Sequence, residues 1–169
     1  MGTGISLAAL QEHLKANGQW LPLRPPFFSA GSTIGSLVAL AACGPERMAY
    51  GSPRDFLLGL RYIDSKGVLV SAGGRVVKNV AGYDMTRLLT GSAGTLGFIS
   101  EATWRVSTIP ERCAAITAVG SLDDCAATAL KIVQSTLSPI YVTCRPAGQP
   151  AAGTVSDDWE IVVGFEGFS

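Results

Sequence analysis

The 169-residue chain is 47% apolar and balances 13 basic against 13 acidic residues. It can therefore bury a core, and it lacks the dense basic face that binding a phosphate backbone requires, so no nucleic-acid partner is expected. Its longest apolar run, IGSLVALAACG, is too short and too broken by glycine to span a bilayer. The N-terminus has no basic stretch ahead of an apolar one, as a secretory signal would, and a cytoplasmic location is expected.

In chain order, SLAALQEHLKANG predicts a helix, with Ser6 as cap, Leu7, Leu10 and Leu14 on one face and Gly18 as the stop. Prolines then forbid regular structure through QWLPLRPPFF, after which small residues lead from a tight loop into a short apolar helix in STIGSLVALAACG. LLGLRYID and VLVSA predict a β-hairpin turned at Gly67. Asp84 caps a short helix, MTRLL, closed by Gly91, and TLGFISEATWRVST alternates as a strand.

Composition changes at Pro110, where we place a domain boundary. CAAITAVG is a predicted strand, followed by a helix in SLDDCAATALKIVQSTL. Ser121 and Asp124 cap that helix, and Leu122, Cys125, Ala129, Leu130, Val133 and Leu137 form its apolar stripe. PIYVTCR and WEIVVGFEG complete a β-α-β-β series, half of a ferredoxin-like unit. The overall expectation is an α+β chain of two parts, residues 1–110 and 111–169.

Familiar catalytic patterns fail on inspection. Gly91, Gly94 and Gly97 run from helix into strand, the reverse of the dinucleotide-binding order, and neither a P-loop nor a G-x-S-x-G elbow occurs. His13 is the only histidine and sits off the leucine stripe, so a nucleophile–histidine pair or a multi-histidine metal site is not expected. The widely spaced Cys43, Cys113, Cys125 and Cys144 form no Cys-x-x-Cys pair and are expected to be buried, reduced thiols. Such a chain can serve chemistry when a cofactor supplies the reactivity and the protein supplies backbone and shape. SAGSTIGSLVALAACG places backbone N–H groups ahead of a helix, which suits an anion, and GSAGTLGFIS offers bare backbone to a planar group.

Taken together, STIGSLVALAACGPERMAYGSPRDFLLGLRYIDSKGVLVSAGG and VAGYDMTRLLTGSAGTLG resemble the FAD-binding domain of the vanillyl-alcohol oxidase and p-cresol methylhydroxylase class, in particular the FAD-binding subunit of bacterial glycolate oxidase. The likeness runs through residues 20–108 with short gaps. It implies the second lobe of such a domain followed by a partial ferredoxin-like cap. The implied cofactor is non-covalent FAD, accepting a hydride from a 2-hydroxy acid such as glycolate.

By the same resemblance, Thr33, Ile34, Gly35 and Ser36 approach the flavin and pyrophosphate, while Gly44, Tyr50 and Gly51 follow the cavity. Gly94, Gly97, Phe98 and Ile99 line the adenine-ribose end, and Pro25 and Pro26 lead towards the ring. Two departures stand out: Gly35-Ser36 replaces a frequent Gly-Gly, and Ala93 replaces a glutamate that contacts the cofactor. The resemblance also implies that an earlier lobe and the rest of the cap are missing, so FAD binding is expected to be weak. Partner subunits of a glycolate-oxidase-like complex, or self-association, are expected to cover apolar surface. It assigns no catalytic residue, and the alternative is a non-catalytic cofactor-binding or structural subunit.

Overall fold

A computed structural model describes residues 1–26, 31–74, 83–148 and 157–167. In chain order the elements are α1 (Leu7–Lys15), β1 (Gln19–Trp20), α2 (Ile34–Ala39), α3 (Arg47–Tyr50), α4 (Pro53–Phe56), β2 (Leu57–Ile63), β3 (Leu69–Gly73), α5 (Met85–Leu89), β4 (Phe98–Trp104), β5 (Ser107–Thr108), β6 (Arg112–Gly120), α6 (Leu122–Gln134), β7 (Tyr141–Pro146) and β8 (Trp159–Gly167). The fold is α+β. The chain divides into two compact units, Met1–Gly44 with Gly51–Ile109, and Pro45–Tyr50 with Pro110–Ser169.

The first unit is built on an antiparallel sheet ordered β3-β2-β4, with β1 and β5 paired separately. The β2–β3 hairpin forms where the alternation predicts it, with Gly67 at φ +77° in the turn. Ser6 Oγ accepts from the Ala9 N–H to start α1, whose Leu7, Leu10 and Leu14 are buried. With Leu21, Leu23, Ile34, Leu37, Phe56, Leu60 and Leu89 they make up the core of this unit. Asp84 Oδ1 accepts from the Arg87 N–H at 3.1 Å and starts α5. Residues 75–82, including the VAG of VAGYD, lie outside the described residues.

The second unit carries an antiparallel sheet ordered β6-β8-β7, with α6 connecting β6 to β7. This is the split β-α-β arrangement, in which the crossover helix joins two parallel strands and the third lies between them. Its core is small: Cys125, Ile161 and Val163 are buried, with Ala129, Ile132, Val142, Trp159 and Phe165 packed around them. The apolar stripe of α6 is thus corrected by the structure. Cys125 and Ala129, joined by Ile132, face the sheet, whereas Leu122, Leu130, Val133 and Leu137 are exposed. The stripe is wider than a single narrow sheet can cover. The cysteine expectation is corrected as well: Cys125 is buried, but Cys113 and Cys144 are exposed on strands that little else covers.

Two expected outcomes follow from local geometry. The hydrogen bond from the Thr86 hydroxyl holds the Asp84 carboxyl below its ordinary value of 3.8, against the opposing effect of its burial and with smaller help from the Arg87 N–H. A carboxyl depressed on folding stabilises above its unfolded value, and that contribution is lost as pH falls through the folded one. Asp84→Ala should therefore cost about 1 kcal/mol at neutral pH, with the difference from the parent shrinking below pH 3.8 in urea titrations. Ala93 stands at φ +52°, a conformation that strains any residue with a β-carbon. Ala93→Gly should stabilise the chain by roughly 0.5–1 kcal/mol in the same titrations.

Candidate cofactor site

The site grows from the start of α2. Thr33 and Ser36 form a reciprocal capping box: the Ser36 N–H donates to Thr33 Oγ1 at 3.2 Å, and the Thr33 N–H donates to Ser36 Oγ at 3.0 Å. The Ile34 N–H donates to the Ile5 carbonyl at 3.0 Å and the Gly35 N–H to the Thr3 carbonyl at 2.9 Å. The donors expected to meet a pyrophosphate are thus occupied by the chain itself. What this turn offers a ligand is a close-packed surface of small residues. Gly35 is needed for that packing, because a β-carbon on it would stand 3.3 Å from Thr3 Cβ.

The other end of α2 explains the glycine-rich loop. A helix leaves its last carbonyls without partners. Here the Gly91 N–H donates to the Val38 carbonyl at 2.9 Å and the Ala93 N–H to the Ala39 carbonyl at 2.7 Å. Gly91 and Gly94 take φ +83° and +76° to make this turn. Gly97 is required by a different contact: a β-carbon on it would lie 2.7 Å from the Ile63 carbonyl oxygen. The loop therefore fastens α2 to the sheet edge and leaves a hollow between them.

That hollow is a cavity of about 400 Å³ within the first unit, in the size range of ligand sites. Thr33, Gly35, Ser36, Gly94, Gly97, Phe98 and Ile99, drawn from both loops, line it together. Pro25 and Pro26 border a second hollow of about 220 Å³, which Ser36 also lines. Ile34 is fully buried among core side chains. Gly44, Tyr50 and Gly51 line neither hollow. Tyr50 donates through its hydroxyl to Glu166 inside the second unit, while Gly51 stands at φ +93° against the Asp55 carboxylate that caps α4.

Sequence reasoning missed Thr3, Gly4 and Ala39, which complete the lining. The available signal was the small-residue run GTG ahead of the first helix cap. Thr3 joins the walls: its N–H donates to the Ser100 carbonyl at 3.0 Å and its Oγ1 to the Ile99 carbonyl at 2.7 Å.

The lining suits a largely apolar, planar ligand. Its polar side chains are the hydroxyls of Thr3, Thr33 and Ser36, and among the described residues no charged side chain lines it. A β-carbon on Gly4 or Gly94 would meet nothing within 4 Å, so bare backbone is open to a ligand there. Phe98, 69% exposed at the rim, presents an aromatic face. Among the described residues, no group of three or more His, Cys, Asp or Glu could hold a metal ion. No helix among them is long and apolar enough to cross a membrane.

Known proteins match the sequence and fold of this chain. Residues 1–73 match the model of the FAD binding domain family. Over 103 residues the chain is 44% identical to glycolate oxidase subunit GlcE of Escherichia coli (strain K12), a stretch covering 61% of this chain and 29% of that one. It is 34% identical over 155 residues to glycolate oxidase subunit GlcD of Bacillus subtilis (strain 168), covering 91% of this chain and 32% of the relative. It is 39% identical over 108 residues to the mitochondrial D-lactate dehydrogenase [cytochrome] of Arabidopsis thaliana, covering 64% and 18%. A solved structure of alkyldihydroxyacetonephosphate synthase superposes with a TM-score of 0.77 over 98% of this chain and 34% of its own, at 24% identity, which speaks for the fold. The chain thus spans about a third or less of the length of each of these proteins. Through residues 1–73 the chain is thus similar to the FAD binding domain family, and the cofactor this similarity supports is FAD.

Proposed function

We propose that this chain is the FAD-holding part of an oxidoreductase acting on a 2-hydroxy acid such as glycolate. The observation that carries the proposal is the cavity between α2 and the 94–99 turn, in which two separate small-residue loops meet. In this reading Thr33, Gly35, Ser36, Gly94, Gly97, Phe98 and Ile99, with Thr3 and Gly4, hold one end of FAD. Pro26 and the second hollow lead towards the other end. Gly44, Tyr50 and Gly51 have no direct part in holding it in this reading. Hydride acceptance from the 2-hydroxy acid is chemistry that FAD supplies when bound. The lining residues would orient the cofactor and shield it from water, with the hydroxyls of Thr3, Thr33 and Ser36 as its polar partners. The relatives, glycolate oxidase subunits and a D-lactate dehydrogenase, favour a 2-hydroxy acid substrate and an assembly with partner subunits.

A second reading has its own support. Among the described residues the cavity lining contains no acid, base or charged side chain, and the exposed His13 does not line it. A chain that binds the cofactor or completes a complex without turning over substrate meets both facts.

FAD titration by calorimetry, paired with dye-linked oxidation of glycolate by the chain co-expressed with a glycolate oxidase partner subunit, separates the readings. With the α2 donors occupied internally, the isolated chain should bind FAD more weakly than about 1 µM, since each lost 1.4 kcal/mol is about tenfold and a hydrogen bond to a charged group contributes roughly 1.5–3 kcal/mol. Gly4→Val is the decisive variant, because Gly4 is not among the positive-φ glycines and its β-carbon position is open. It should leave the melting temperature unchanged, weaken FAD binding at least tenfold and abolish dye reduction in the complex. FAD binding without dye reduction in the parent would favour the non-catalytic subunit. Unaltered binding in Gly4→Val would remove the cavity from the account.

A further inference from the structure

We propose that Asn17 is a site of spontaneous covalent modification, at which the folded chain converts an asparagine into aspartate and isoaspartate. The chain has two asparagines: Asn17 precedes Gly18, and Asn79 precedes Val80. The reaction begins when the next residue's backbone nitrogen attacks the asparagine side-chain carbonyl carbon. Glycine hinders that approach least because it has no β-carbon, whereas a branched valine crowds it.

The fold leaves the Asn17–Gly18 pair open. Both residues are exposed, at the corner between α1 and β1, with buried Leu14 before them and buried Trp20 after. Gly18 takes φ +66°, and a β-carbon on it would meet nothing within 4 Å, so the corner has space for a five-membered ring. The bonds that hold it are those of a helix end. The Ala16 N–H reaches the Glu12 carbonyl at 3.4 Å, while Asn17 and Gly18 donate to the Leu14 and Lys15 carbonyls at 2.9 and 3.0 Å. Asn17 Nδ2 donates to the His13 carbonyl at 3.3 Å. Helix ends fray locally while the domain stays folded, and fraying here releases the Gly18 nitrogen for attack.

The Gly18 nitrogen gives its proton to solvent base and bonds to Asn17 Cγ. The Cγ–Nδ2 bond breaks, and the side-chain nitrogen takes up a proton and leaves as ammonia. Water then opens the ring. Cleavage at Cγ yields aspartate, and cleavage at the backbone carbonyl carbon carries the chain onward through Cβ and Cγ as isoaspartate. Either product adds a negative charge to a chain whose 13 basic and 13 acidic residues cancel, and removes the donor from the His13 carbonyl. Isoaspartate also lengthens the main chain just before Trp20 pairs with Ser107 and the Leu21 N–H donates to Gln11 Oε1. That product should therefore loosen the corner.

Ageing the full chain in mildly alkaline buffer, followed by anion exchange and peptide mapping by mass spectrometry, tests this. The parent should develop two more acidic species, each with the mass gain of an amide-to-acid conversion in the peptide that spans Asn17. One should coelute with the Asn17→Asp variant. The other should accept a methyl group from protein isoaspartate methyltransferase and melt at a lower temperature than the parent. Asn17→Gln should remain a single species, because its longer side chain must close a six-membered ring. A parent that gains no acidic species, acidic species that form equally fast in Asn17→Gln, or a mass gain mapped to Asn79 in place of Asn17 would overturn the proposal.

Discussion

The first unit depends on how Thr3 joins helix α2 to strand β4. Its carbonyl accepts from Gly35, its N–H donates to Ser100, and its hydroxyl donates to Ile99, so one buried residue satisfies backbone groups on both walls. This arrangement sets the distance between α2 and the sheet edge, and that distance is the width of the cavity. Ile34, fixed by its N–H to Ile5, turns inward to the core, while Thr33, Gly35 and Ser36 are left facing the hollow. The fold and the site are therefore consequences of one constraint: a short helix must be anchored at both ends. Thr3 and Ile5 hold the beginning, and Gly91 and Ala93 hold the end.

This anchoring changes how the glycine-rich segments are understood. The N-terminus of a helix attracts anions through unsatisfied N–H groups, but α2 has committed its own to the chain. Gly91 supplies a turn, Gly97 makes way for the Ile63 carbonyl, and Gly35 makes way for Thr3. Gly4 and Gly94 are the ones with open space beside them that also line the cavity. Glycine abundance thus has two sources here, close packing and an open surface, and only the second bears directly on a ligand.

Much of the architecture was legible from local signals. Ser6, Asp84 and Ser121 each start the helix their side chains can cap, and the β2–β3 hairpin turns at the glycine that allows it. The likeness to the FAD binding domain family was legible from the residue pattern that begins at STIGS. Tertiary information was not. The stripe on α6 did not reveal which half would find a sheet, and the flanks of Cys113 and Cys144 did not reveal that their strands would lie exposed. Thr3 escaped notice because its role is made by partners nearly a hundred residues away, at Ile99 and Ser100. Tyr50 and Gly51 are adjacent in sequence yet fall in different compact units, which no local pattern foretells.

The most direct measurement is amide chemical-shift mapping of the isotopically labelled full chain during titration with FAD. The account predicts shifts concentrated at Thr3, Gly4, Gly35, Ser36, Gly94 and Phe98, the residues from three separate stretches that meet at the cavity. Shifts confined to α6 and the β6-β8-β7 sheet, or none at millimolar FAD, would contradict it.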